Sequence, residues 1–94
     1  MAAQRTVHVR IEGSVQGVGY RAFAQWNAAE LDLNGWVRNR CDGSVEAVFQ
    51  GPAEIVEIML QRCRKGPPDA VVTCVDIIGE GVGVLSGFEV RPTA

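Results

Sequence analysis

Gly35-Trp36-Val37-Arg38-Asn39-Arg40-Cys41-Asp42-Gly43-Ser44-Val45-Glu46 reads as a strand, a tight turn and the start of a second strand. Within it, Cys41-Asp42-Gly43 holds the Asp-Gly pair that favours a short hairpin. The two strands run from Gly35 to Arg40 and from Ser44 to Gln50. A hairpin makes this pair antiparallel, so the chain is not a plain succession of parallel strand–helix–strand units.

Upstream, Arg5 to Glu12 alternates Val7, Val9 and Ile11 with His8, Arg10 and Glu12, the pattern of a strand with one buried face. The glycine-rich stretch Gly13 to Gly19 breaks that pattern. A helix is expected from Tyr20 to about Asp32, with Phe23, Asn27/Ala28 and Leu31 on its stripe and Gly35 just past its end. Downstream, Pro52 is expected at the first position of a second helix. Ile55, Met59 and Cys63 form its inner stripe, flanked by Ile58 and Arg62, and Gly66-Pro67-Pro68 stops it. Val71 to Ile78 and Gly87 to Arg91 read as the last strands, with Phe88 and Val90 turned inward.

The order is strand, helix, strand, strand, helix, strand, with one short strand added at the end. This predicts an α+β fold, a ferredoxin-like βαββαβ sandwich with an antiparallel sheet and both helices on one face. A crossover helix makes strands one and two parallel, and strand three can slot between them. Their C-terminal ends then share one sheet edge, about 10 Å apart. No repeat, linker or low-complexity tract interrupts residues 1–94, which predicts a single domain.

The chain carries a net charge of −2 with 47% hydrophobic and 21% charged residues, a globular balance without general affinity for nucleic acid. No apolar run approaches the ~20 residues of a membrane span. Met-Ala-Ala-Gln-Arg-Thr lacks the apolar centre of a signal peptide, which predicts a cytoplasmic protein. Cys41, Cys63 and Cys74 lack CxxC spacing, and His8 is the only histidine. The cysteines therefore read as reduced thiols, with no zinc site and no other metal expected.

Chemistry concentrates in Gly13-Ser14-Val15-Gln16-Gly17-Val18-Gly19-Tyr20-Arg21. Its glycines let successive N–H groups turn inward as an anion nest, and the helix opening at Tyr20 adds unpaired N–H groups. Arg21 in the first helical turn opposes the helix dipole unless an anion sits there. A simple connection with turn glycines remains open on the glycines alone. Gly17-Val18-Gly19-Tyr20-Arg21-Ala22 also satisfies G-x-G-x-x-A, but the hairpin after the next strand argues against a dinucleotide fold. No Gly-Lys-Ser/Thr is present for a P-loop. Asn39 lies near the C-terminal end of strand two, at the same edge, on the face of Val37 taken as helix-covered, although Asn before a hairpin is also a common turn residue. His8 points to the other face, Trp26 and Trp36 read as packing residues, and Glu30 and Asp32 as a solvated helix end.

The Gly13–Arg21 stretch and the Gly35–Glu46 stretch resemble the two signature motifs of the acylphosphatases. Their spacing, the Gly66-Pro67-Pro68 after the second helix and the Phe88–Arg91 ending extend the likeness over nearly the whole chain. The glycine-rich Gly79–Gly87, with Glu80 its only charge, departs from the acidic residues often found there in the family. The resemblance implies hydrolysis of acyl phosphates to carboxylate and inorganic phosphate, without metal or cofactor. It implies that Arg21 binds the phosphate and Asn39 positions the attacking water. Val15, Gln16, Gly17, Val18, Gly19 and Tyr20 would supply the remaining phosphate contacts through their backbone.

The expected partners are a small-molecule acyl phosphate and inorganic phosphate as product and inhibitor, with no nucleic acid, no membrane and a monomeric state. An alternative is a phosphate- or carbamoyl-phosphate-binding module without turnover, as larger hydrogenase-maturation proteins carry a similar N-terminal domain. That the chain ends at Ala94 counts against that alternative. An RNA-binding module of like layout is disfavoured because His8 and Arg10, not aromatic residues, occupy the outward face of strand one.

Overall fold

The computed structural model describes residues 3–81 and 83–94. Met1, Ala2 and Val82 lie outside the described residues, so the reading of the N-terminus and of the Gly79–Gly87 stretch is tested only in part. The elements are β1 (Gln4–Ser14), α1 (Tyr20–Glu30), β2 (Asn34–Asn39), β3 (Val45–Pro52), α2 (Ala53–Lys65), β4 (Val71–Glu80) and β5 (Phe88–Val90).

The alternation in β1 does what the pattern dictates: Val7, Val9 and Ile11 are fully buried, and His8, Arg10 and Glu12 face the other way. The strands lie in the order β4-β1-β3-β2-β5. β3 pairs antiparallel with both β1 and β2, so those two run parallel, as the crossover helix requires. β5 pairs parallel with β2, which makes the sheet mixed rather than wholly antiparallel. Helices α1 and α2 pack on one face, around a core that includes Val7, Val9, Val37, Phe49, Met59 and Leu60. Among the described residues, no helix covers the opposite, open face of the sheet.

Several local expectations shift. In α1 the buried stripe is Tyr20, Ala24 and Ala28, while Phe23 and Leu31 only flank the core. The helix ends at Glu30, and the left-handed turn residue behind it is Asp32 (φ 55°), not Gly35, which already belongs to β2. Pro52 ends β3 and precedes the first residue of α2, with an extended ψ of 136°. Starting at Ala53, α2 buries Val56, Met59, Leu60 and Cys63, and leaves Ile58 exposed. Trp26 is not a packing residue, because 78% of it is exposed. Val90 is likewise 41% exposed, at the sheet edge.

The long connection before β5 is tethered by side chains of the sheet. Gln50 donates to the Gly83 carbonyl at 2.7 Å and accepts from the Leu85 N–H at 2.9 Å. Asn34 accepts from the Gly87 N–H at 3.0 Å. Past β5, the chain continues along β2: Arg91 N–H bonds the Val37 carbonyl, and Ala94 N–H bonds that of Asn39.

Candidate active site

The loop from Val15 to Gly19 carries β1 into α1, and two of its glycines set its course. Gly17 (φ 73°) and Gly19 (φ 81°) are left-handed, and the space where a Cβ would stand is open at both. The glycines therefore serve backbone conformation, not close packing. Gly19 occupies the N-cap of α1, where no side chain caps the helix and no acidic residue lies in the first turn. The first N–H groups of α1 thus keep their donor capacity for something outside the chain.

This helix start opens into a cleft of about 430 Å³ lined by Val15, Gly17, Gly19, Tyr20, Arg21 and Asn39. Ala22, Gln25 and Val90 complete its wall. Strand topology brings Arg21 and Asn39 together as the sequence expects, because β3 lies between the strands that lead to them. Arg21 enters no salt bridge among the described residues. An unpaired guanidinium beside free helix N–H groups is chemically suited to a tetrahedral oxyanion.

Two expected phosphate contacts use their side chains elsewhere. The Gln16 amide donates to the carbonyls of Arg40 (2.7 Å) and Ser44 (2.8 Å), stapling the loop to the β2–β3 hairpin. Tyr20 is buried and its hydroxyl donates to the Cys63 carbonyl at 2.7 Å, joining the start of α1 to the last turn of α2. Burial, with Cys63 as its neighbour, pushes that phenol well above its ordinary pKa, so it stays a donor. Of the loop residues, Gln16 and Val18 do not line the cleft.

The acylphosphatase family model matches residues 7–90. This chain belongs to the acylphosphatase family. It is similar to the acylphosphatase of Rhodopseudomonas palustris (strain BisB18), with 62% identity over 83 residues, 88% of this chain and 81% of that one. Among solved structures it is similar to an acylphosphatase from Coxiella burnetii, with a TM-score of 0.88, 38% identity and coverage of 94% and 93% of the two chains. The acylphosphatase from Bacillus subtilis gives a TM-score of 0.86 at 31% identity, covering 95% of this chain and 99% of that one. The activity of this acylphosphatase is the hydrolysis of acyl phosphates, and the fold is the ferredoxin-like one expected.

On the open face, this acylphosphatase carries a cluster that sequence reasoning missed. Glu46, only 6% exposed, receives Arg38 Nε at 2.6 Å, Arg40 Nη1 at 3.1 Å and His8 Nε2 at 2.5 Å. Burial works to raise its pKa, but the bonds from Arg38, His8 and Arg40 outweigh it and hold the carboxyl at about 2. Arg38 and Arg40 flank Asn39 in sequence. Anchoring both on the open face turns the Asn39 side chain to the helix face, into the cleft. Trp36 lies beside the cluster, with the Arg38 and Arg91 guanidinium groups 4.9 and 4.7 Å from its ring centre. The hairpin turn is held by Asp42, whose Oδ1 accepts from the Ser44 hydroxyl at 2.6 Å and the Ser44 N–H at 3.0 Å.

Glu12, Cys74 and Asp76 bring three donor atoms within 4.8 Å of one another, also on the open face. Glu12 is already paired with Arg10, and the hydrogen bond to Asp76 raises the Cys74 pKa, which disfavours the thiolate a metal requires. Among the described residues, no helix is long and apolar enough to cross a membrane.

Proposed function

We propose that Arg21 and Asn39 carry the acylphosphatase reaction. The phosphate lies against the backbone N–H groups of residues 15–20 and the Arg21 guanidinium, which spread their positive charge over its equatorial oxygens. Asn39 cannot act as a base, because an amide has no useful pKa, but its carbonyl can orient a water for in-line attack on phosphorus. The bond between phosphorus and the acyl oxygen breaks, and the carboxylate leaves with that bond pair. The water's proton passes to a phosphoryl oxygen, giving inorganic phosphate. A carboxylate is a good leaving group and needs no protonation, so neither a general acid nor a metal enters the scheme.

The observation that carries this reading is the shared cleft of Arg21, Asn39 and the uncapped start of α1. The free enzyme is proposed to be a cytoplasmic monomer of one domain, residues 1–94, without nucleic-acid partners. One sheet and one core support the single domain, and the acidic balance of the chain supports the absence of nucleic acid. The test is hydrolysis of benzoyl phosphate in the presence of a chelator, with inorganic phosphate as competitive inhibitor. Arg21→Ala is expected to lose both phosphate inhibition and turnover. Asn39→Ala is expected to lose turnover while inorganic phosphate still inhibits the residual rate. Unimpaired hydrolysis in both variants overturns the assignment, and phosphate binding by the wild type without turnover favours a binding module.

A further inference from the structure

Beyond the phosphate cleft, the solvent face of α1 carries no charge until Glu30 at its end. Between Arg21 and Glu30 its exposed residues are Ala22, Gln25, Trp26 and Ala29. A surface helix ordinarily turns charged residues to water. Helix α2 does so, exposing Glu54, Glu57, Gln61, Arg64 and Lys65 along with Ile58. On α1 the same position is held by a tryptophan that is 78% exposed.

That face is continuous with the site. Gly19, Ala22 and Gln25 line both the phosphate cleft and a second, shallow hollow, whose far wall is Phe23, Trp26 and Ala29. Trp26 lies four residues beyond Ala22, ~6 Å along the helix axis. Helical side chains lean toward the N-terminus, so the indole inclines back toward Ala22 and the cleft. An acyl group that leaves the phosphate along α1 meets the Ala22 methyl, the Gln25 side chain and then the indole. A methyl group extends less far along that path than an aromatic ring or a branched chain does.

We propose that Ala22, Gln25 and Trp26 form the acyl subsite, and that Trp26 selects aromatic and bulky aliphatic acyl phosphates over acetyl phosphate. This rests on the phosphate site assigned above. The subsite binds by apolar and ring contact, so its contribution falls on KM and leaves the chemistry at phosphorus untouched.

The experiment compares benzoyl phosphate and acetyl phosphate on wild type, Trp26→Ala and Trp26→Phe, with inorganic phosphate inhibition measured in each. Trp26→Ala is expected to lower kcat/KM for benzoyl phosphate about tenfold (~1.4 kcal/mol), through KM. Acetyl phosphate turnover and phosphate inhibition should be unchanged, and Trp26→Phe should recover most of the loss. In a Trp36→Phe background, the fluorescence of Trp26 alone should respond to the non-hydrolysable benzoylphosphonate and not to inorganic phosphate. Equal losses on both substrates, or no loss on either, overturn the subsite. So does a dimeric wild type that Trp26→Ala turns monomeric with its acyl preference intact, since a second copy would then cover this face. If acetyl phosphate hydrolysis and phosphate inhibition survive Arg21→Ala, the underlying phosphate site fails, and the subsite with it.

Discussion

Replacing Glu46 by Gln removes one negative charge from beneath the Arg38 and Arg40 guanidinium groups and the His8 ring while keeping the shape of the residue. The wild-type carboxyl stands at about 2 instead of its ordinary 4.5. At ~1.4 kcal/mol per pH unit, that difference makes the ionised carboxylate worth ~3 kcal/mol to the folded state. Because the folded pKa is the lower one, this stabilisation is complete above pH 4.5 and is lost as the pH falls toward 2. A domain of this size has a total stability of ~5–15 kcal/mol, so the loss is a large fraction of the whole. Glu46→Gln should therefore unfold at clearly lower urea than wild type at pH 7. Between pH 5 and pH 2.5 the two proteins should converge, since acid neutralises only the wild-type group. Urea titrations followed by far-UV circular dichroism at several pH values measure both effects. The reasoning is refuted if the variant loses less than ~0.5 kcal/mol at pH 7, the scale of an exposed ion pair, or if both proteins lose stability in parallel on acidification. In the folded variant kcat should also fall, because Arg38 and Arg40 no longer hold the strand on either side of Asn39.

Other outcomes follow from single contacts. Gln16→Ala leaves the Arg40 and Ser44 carbonyls without their side-chain donor and should cost about 1–3 kcal/mol, read by thermal unfolding. Its kcat should fall more than its affinity for inorganic phosphate, since the loop survives but loses its register with Asn39. Gly19→Ala meets no steric obstacle, yet must hold φ at 81°, so it should cost ~1–2 kcal/mol and weaken phosphate inhibition. Burial pushes the Cys63 thiol up to about 12, whereas Cys41 is exposed. A thiol reagent at pH 8 should accordingly modify Cys41 quickly in native protein and Cys63 only after unfolding.

The frame of the fold was legible because β1 alternates strictly and Asp42-Gly43 marks a hairpin. With the crossover helix that makes β1 and β2 parallel, these readings allow β3 to slot between them, the arrangement in which Arg21 and Asn39 meet. The faces of the helices were less legible. Five of the six residues from Ile55 to Leu60 are apolar, so periodicity could not choose between Ile55 and Val56; the start of α2 at Ala53 makes that choice. In α1 the core-facing Ala24 is small, and the larger Phe23 and Leu31 drew the expected stripe away from it, while Ala28 belongs to both stripes. Glu46 and Gln16 were hidden for another reason. Each derives its role from neighbours on other strands or on the hairpin, and no local pattern encodes a neighbour in space. The parallel placement of β5 rests on a long connection tethered by Gln50 and Asn34, which is equally non-local.

The middle strand also has a consequence in time. A ribosome that has released residues 1–40 has already delivered both Arg21 and Asn39, yet nothing holds them side by side. Only when β3 emerges and joins β1 on one flank and β2 on the other does the cleft exist. Catalytic competence is thus a property of a completed three-strand weave, and its first appearance during synthesis or refolding marks the moment at which that weave closes.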